Sequence, residues 1–412
     1  MTDDRFERSE LPGGLVVVTE RIPWVRSVSA GIWLRQGSAH EQGAELGASH
    51  LLEHMVFKGT ERRAPKEIAL ALERRGGELD AYTTREHTSY QARVLDEDLG
   101  LAMDVLADIV VSPLLQEQDL ALEREVVLEE IAGVEDTPDD LVFELHGEAL
   151  WGPHPYGHSI LGTRETVTAL DAVALRDVHA RAYRRPNMVV GAVGNLEHEA
   201  FVGMVGELLS SVPNGTANAP IERPVAPAGS AVVVERDTAQ THIVFGAATF
   251  GHSDPRRYAI VMLSSAFGGG MSSRLFQRVR EELGLAYAVY AFQSFYGAAG
   301  LCGVYVGTRP EWAERVTEVV TEEMAAIARD GLTSVELDDV RGQMKGQLVL
   351  SLESTSARLG RVVGTALYEE AFQTAEELLA KVDAVTAADI AELAAEYLDP
   401  ARQTVVRLGP VN

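Results

Sequence analysis

The sequence predicts an α+β protein of two tandem homologous domains, each an antiparallel-rich β-sheet packed with helices. Three features point there: a linker-like stretch at mid-chain, the same order of elements on either side of it, and alternating runs that give way to helical patterns. Residues 213–229, PNGTANAPIERPVAPAG, are rich in Pro, Gly, Ala and Asn and have no periodicity. They divide the 412 residues into a first domain, 1–212, and a second, 230–412.

The elements follow in order. Each half opens with β-rich runs, at 15–19 and 29–34 in the first and at 231–234 and 241–246 in the second. A short helix is expected from about Gly47, and its counterpart from about Arg257. Alternation returns at 79–95 (LDAYTTREHTSYQARVL) and at 286–306. Long helical patterns cover 96–111, 118–132, 169–183 and 311–329. Identities between the halves are sparse, so the duplication rests on element order.

Composition narrows the function. With 46% hydrophobic and 24% charged residues, the chain is an ordinary globular protein. Its 62 acidic and 36 basic residues give a formal charge of -26, which repels nucleic acid and anionic membranes. The sequence has no run of 18 or more apolar residues, so no bilayer-spanning helix is expected. Cys302 is the only cysteine, which excludes an internal disulfide framework, a Cys-ligated metal and a dithiol redox pair. The N-terminus, MTDDRFERSELPGG, has no basic segment leading into an apolar one. A cytoplasmic location is the expectation.

The sharpest segment is His50-Leu51-Leu52-Glu53-His54. On a helix, His50 and His54 stand one turn apart, about 40° around the axis, with Glu53 about 60° to the other side of His50. Two imidazoles at this spacing can hold one Zn²⁺, and a carboxylate beside them can take a proton from its water. This is the inverted zincin order H-x-x-E-H. Two histidines and a glutamate also meet by chance within five positions, so a third ligand has to be found. The segment Glu123-Arg-Glu-Val-Val-Leu-Glu-Glu130 supplies candidates. Glu123 and Glu130 are seven apart and share a helix face to within about 20°, with Val127 on the same side. Val126, Leu128 and Ile131 are expected to widen the apolar contact. A solvated helix with Arg124 in an edge salt bridge is the competing account of this segment alone.

Together these segments resemble the pitrilysin/insulinase family of zinc peptidases, family M16. The nearest likeness is to its two-domain bacterial members related to the catalytic subunit of the mitochondrial processing peptidase. Gly47 to Thr60, GASHLLEHMVFKGT, matches the family signature almost residue for residue, and the likeness covers nearly the whole chain. The resemblance implies one Zn²⁺ per chain held by His50, His54 and Glu130, with Glu53 as general base and Glu123 orienting a ligand histidine. It implies a zinc-dependent endopeptidase that hydrolyses short or unfolded peptides between two bowl-like halves, its zinc-bound water activated by Glu53. Ala81, Tyr82, Thr83 and Thr84 match the edge strand that pairs with substrate, although any sheet strand would read the same. Phe57 is expected to pack beside the zinc helix and border the substrate. His87 reads as an edge histidine rather than a fourth ligand.

In the second half, Arg280 and Tyr287 resemble the pair that contacts substrate backbone and the developing oxyanion. Taken alone, Arg280 reads as a helix-surface arginine and Tyr287 as a core strand residue. The stretch 254–265, DPRRYAIVMLSS, sits where the signature would recur and carries neither His nor Glu. Gly268-Gly269-Gly270 lacks the Lys-Ser/Thr of a phosphate loop. The run Trp151-Gly-Pro-His154-Pro-Tyr156-Gly-His158 reads as a compact loop, and Cys302 as a buried small hydrophobe. Because the zinc motif and the Arg/Tyr pair share one chain, a homodimer is expected. Two alternatives stand beside the peptidase: a non-catalytic assembly subunit of the same fold, and a metallohydrolase of a non-peptide amide or ester.

Overall fold

A computed structural model describes residues 5–225 and 229–410, so 226–228 of the 213–229 linker lie outside the described residues. Residues 213–225 have no regular structure. The contacts divide the chain into two compact α+β units, each assembled from three segments.

Unit 1 gathers 1–131, 158–220 and 350–374. Its six-stranded sheet runs β1 (Arg5–Leu11), β2 (Leu15–Arg21), β6 (Met188–Gly194), β3 (Ser27–Leu34), β5 (Thr88–Leu95) and β4 (Glu78–Thr83) in spatial order. Only β2 and β6 pair in parallel. The central strands read as continuous apolar runs because helices cover both faces. Leu15, Val17, Val28, Ala30 and Ile32 enter the main core, with the helices Ala48–Met55, Leu99–Val111 and Ala172–Ala182. Val16, Val18, Trp33 and Val189 point the other way, onto Leu359, Val362 and Val363 of the helix Thr355–Leu367. That helix approaches β6 at Gly191, where a Cβ would run into Val363 and lie 3.0 Å from Leu359. Glu20, 1% exposed on β2, is paired by Arg358 and Arg361 of the same helix.

Unit 2 gathers 132–157, 221–349 and 375–412. Its sheet runs β7 (Ser230–Glu235), β11 (Thr404–Gly409), β8 (Thr241–Thr249), β10 (Gly300–Thr308) and β9 (Ala286–Phe295), with β7 and β11 parallel. One face packs on the helices Arg257–Gly268, Ala313–Asp330 and Ala387–Tyr397. Val244, Tyr305 and Val406 on the other face meet Val142 and Phe143 of the helix Pro138–Trp151. Gly246 makes room for His146 of that helix, whose ring would lie 2.5 Å from a Cβ. Each sheet thus has its second face closed by a helix from the other half of the sequence.

Most expected elements form, with particular differences. The 169–183 pattern is one helix, Ala172–Ala182, that starts later than expected because Asp171 caps it by accepting from the Ala174 N–H; a separate helix, Arg164–Ala169, precedes it. The 96–111 and 311–329 patterns each begin as a 3₁₀ turn. Val126 is 43% exposed and does not widen the apolar contact of its helix, being a full 100° step from buried Val127.

Candidate metal centre

The helix Ala48–Met55 presents His50, Glu53 and His54, and Leu51, Leu52 and Met55 bury its opposite side completely. Its start, expected from about Gly47, is fixed by two features. Gly47 has φ +92°, and a Cβ there would lie 2.6 Å from the Leu161 carbonyl, so only glycine fits without strain. Glu41, 1% exposed, accepts the N–H groups of Gly47 at 2.7 Å and Ser49 at 2.6 Å, satisfying donors that the helix leaves open. The Gln36 amide also donates to the Ser49 hydroxyl at 3.1 Å.

The helix Glu117–Asp136 buries Leu120, Glu123, Val127 and Ile131 on one face, and Glu130 stands at the edge of that face. Arg124 donates to the Leu170 carbonyl at 2.7 Å and reaches Glu117 at 3.6 Å, so the edge arginine and the inward acids coexist.

One ligand atom each from His50, His54 and Glu130 lies within 4.8 Å of the others; among the described residues no other group of three such side chains comes together. His50 Nε2 is 3.6 Å from Glu130 Oε2, and His54 Nε2 is 3.7 Å from Oε1. These separations exceed a hydrogen bond. They are about what two ligands of one tetrahedral ion keep when each bond is about 2.0–2.2 Å. His50 Nδ1 is buried without a hydrogen-bond partner. Burial, with His54 beside it, pulls the His50 pKa down to about 4, so its ring is neutral and can act as a lone-pair donor. The donor set fits a zinc ion.

Around this cluster, His54 Nδ1 lies 3.2 Å from Glu123 Oε2, which leaves Nε2 facing Glu130. Lys58 Nζ is 2.6 Å from the other Glu123 oxygen. Thr83 donates to Glu53 Oε2 at 2.6 Å. Burial raises the Glu53 pKa, and the Thr83 hydrogen bond and the nearby His54 ring oppose that rise.

The remaining sequence-named residues fall as follows. β4 is the edge of its sheet, with Tyr82 40% exposed and in edge contact with His87 at 5.9 Å. Ala81 packs against the core from that strand. Thr84 builds the turn after β4, its hydroxyl donating to the His87 carbonyl at 2.9 Å. Phe57 packs against the core with its ring 6.4 Å from Tyr90. In unit 2, Arg280 lies on a π-helical segment, Phe276–Glu282. Its guanidinium stacks 4.7 Å from the Phe276 ring and 4.4 Å from the Tyr287 ring, and donates to the Tyr287 carbonyl at 2.9 Å. Tyr287 lies on the edge strand β9 with 76% of its surface exposed, so it is not the core residue the sequence suggested. The loop at 151–158 is compact: Tyr156 is fully buried, 4.5 Å from the Tyr296 ring, and His154 meets the Glu222 carbonyl at 2.9 Å. Cys302 is buried, and burial pushes its thiol up to about 12. No helix among the described residues is long and apolar enough to cross a membrane.

Residues 16–164 match the sequence family described as insulinase (peptidase family M16), and residues 169–344 match the one described as peptidase M16 inactive domain. An uncharacterised zinc protease of Streptomyces coelicolor is 40% identical over 414 residues, covering 98% of this chain and 90% of that protein. One of Mycobacterium leprae is 40% identical over 407 residues, covering 98% and 91%. One of Bacillus subtilis is 37% identical over 380 residues, covering 92% of each. Among solved structures, a peptidase M16 inactive domain from Pseudomonas fluorescens superposes with TM-score 0.93 at 23% identity, covering 99% of this chain and 98% of that one. A protease from Helicobacter pylori gives TM-score 0.92 at 22% identity, with 99% and 100% covered. At these identities the solved structures speak for the fold.

Proposed function

The chain belongs to the insulinase family of peptidases, family M16, and from that premise we propose that it is a zinc-dependent endopeptidase acting on short or unfolded peptides. The observation that carries the reading is the convergence of His50, His54 and Glu130, with Glu53 held beside them by Thr83. These three would hold the ion, one per chain. Zn²⁺ bound there supplies Lewis acidity, which acidifies water and polarises a carbonyl.

The chain's own residues do the rest. Glu53 takes the proton of the attacking water and returns one to the leaving amine. Burial favours this by raising its basicity, and Thr83 fixes one carboxylate oxygen and leaves the other for the reaction. Glu123 keeps the Nδ1 proton of His54 in place, leaving Nε2 as the donor. The free edge of β4 offers an extended peptide backbone pairing, in a mode that reads side chains loosely. Arg280 and Tyr287 are proposed to contact the substrate backbone and the negative charge that grows on the scissile carbonyl. The same reading extends to a processing-peptidase type of chain, to two homologous domains on either side of 213–229, to a homodimer and to a cytoplasmic location.

The test is cleavage of a diverse quenched-peptide library, read by mass spectrometry, for wild type beside Glu53→Gln, with zinc content measured for both. Wild type is expected to cleave and to lose activity with a chelator. Glu53→Gln is expected to keep its zinc and lose on the order of 10²–10⁴ in rate. Preserved turnover in the variant would remove Glu53 from its role. No cleavage by zinc-loaded wild type would overturn the peptidase.

A further inference from the structure

Lys58 stands four residues beyond His54, on the 3₁₀ turn Val56–Lys58 that continues the histidine helix. Its ammonium lies 2.6 Å from Glu123 Oε1, while Oε2 of the same carboxylate lies 3.2 Å from His54 Nδ1. The Glu123 side chain is 8% exposed and that of Lys58 is 35% exposed. A carboxylate so deeply buried needs both oxygens engaged and a counter-charge nearby. The imidazole engages one oxygen, and Lys58 supplies the partner for the other together with the charge.

Two consequences follow from the geometry. First, the His54 ring is addressed from opposite sides: Nδ1 by Glu123, and Nε2 from 3.7 Å by Glu130. A carboxylate pinned at both oxygens cannot swing, so it holds the plane of the ring. Second, Glu123 and Glu130 share one helix, so the Lys58–Glu123 contact ties the helix carrying both histidines to the helix carrying the third ligand. We propose that Lys58 is a positioning residue for the metal site, acting through Glu123 to fix the donor atom of His54. The inference rests on the zinc reading given under Proposed function.

The test uses the full chain as wild type, Lys58→Met, Lys58→Arg, Glu123→Gln and the double variant Lys58→Met/Glu123→Gln. Zn²⁺ affinity is measured by competition with a chromogenic chelator, the visible spectrum by loading Co²⁺, and the fold by thermal unfolding of metal-free protein. Lys58→Met is expected to weaken Zn²⁺ about 10-fold or more and to alter the Co²⁺ spectrum, in a protein that still folds without metal. Lys58→Arg keeps a cation within reach of Glu123 and stays near wild type. The double variant binds no more weakly than Glu123→Gln alone, because Lys58 acts through that carboxylate.

Wild-type affinity and spectrum in Lys58→Met would overturn the role, as would losses that add in the double variant. If metal-free Lys58→Met fails to fold, Lys58→Gln takes its place, and failure of both makes Lys58 a structural residue and overturns the proposal. Wild type that binds no Zn²⁺ sinks the metal reading itself. Wild type that binds while Lys58→Met matches it sinks only the role of Lys58.

Discussion

Glu53 and Glu130 both lie beside His54, yet their surroundings differ. Glu53 is hydrogen-bonded by Thr83 and has its pKa raised by burial. The side chain of Glu130 is 40% exposed and faces Nε2 of both histidines. Burial and a fixed donor suit a proton carrier, and a two-sided approach to ring nitrogens suits a ligand. A third carboxylate, Glu336, illustrates the opposite shift. Arg274 forks onto both of its oxygens at 2.5 and 2.7 Å, and that contact, with help from Thr333, holds the Glu336 pKa down at about 2. A depressed folded-state pKa means the pair stabilises above the unfolded value of about 4.5, and the contribution is lost as pH falls through about 2. Thermal unfolding of Glu336→Gln beside wild type should therefore show a deficit of about 1 kcal/mol at pH 7 that closes between pH 4.5 and 2. A gap independent of pH would mean that packing, not charge, is what the substitution removes.

Among the elements, the helix Thr355–Leu367 depends on the absence of a side chain at Gly191. An added methyl would press on Val363 and Leu359, which are fully buried, so neither can give way cheaply. Gly191→Ala is expected to destabilise unit 1 by about 1–3 kcal/mol in chemical denaturation. Gly191→Ala/Val363→Ala should recover part of that loss, since the second change removes the obstructing methyls. Additive losses would place the cost elsewhere than in this contact. The helix from Gly47 was legible in advance because its His, Glu and Leu positions follow a 100° step that sequence alone displays. Its capping by Glu41 was not, because a loop carboxylate six residues upstream carries no periodic signal.

For the whole molecule, the charge of -26 sets a long-range field. Lys-rich peptides should be captured faster at low salt, with kcat/KM falling as the Debye length shrinks from about 30 Å at 0.01 M to about 3 Å at 1 M. A neutral peptide of the same length should show little change. Equal salt dependence for both would show that the net charge does not steer substrate. The reciprocal use of helices is also a property of the whole chain: Pro138–Trp151 covers the unit 2 sheet, and Thr355–Leu367 the unit 1 sheet. Element order on either side of the linker could suggest duplication, but no local pattern says which sheet a helix will cover.

The sequence by itself determined the α+β class, strands such as those at 15–19, 29–34 and 241–246, helices such as those at 96–111 and 118–132, and two separate patterns, His50-x-x-Glu53-His54 and Glu123 with Glu130, which only the family resemblance joined. Those readings depend on spacing within a single helix or strand, where geometry repeats every few residues. Tertiary structure alone decided that Thr83 holds Glu53 across 30 residues of chain and that Lys58 meets Glu123 across 65. It also decided that Arg280 lies between the Phe276 and Tyr287 rings, and that each sheet borrows a helix from the other half. These contacts join segments whose separation along the chain bears no relation to their distance in space. They are fixed by burial and shape complementarity across the packed core, which no periodicity in the sequence records.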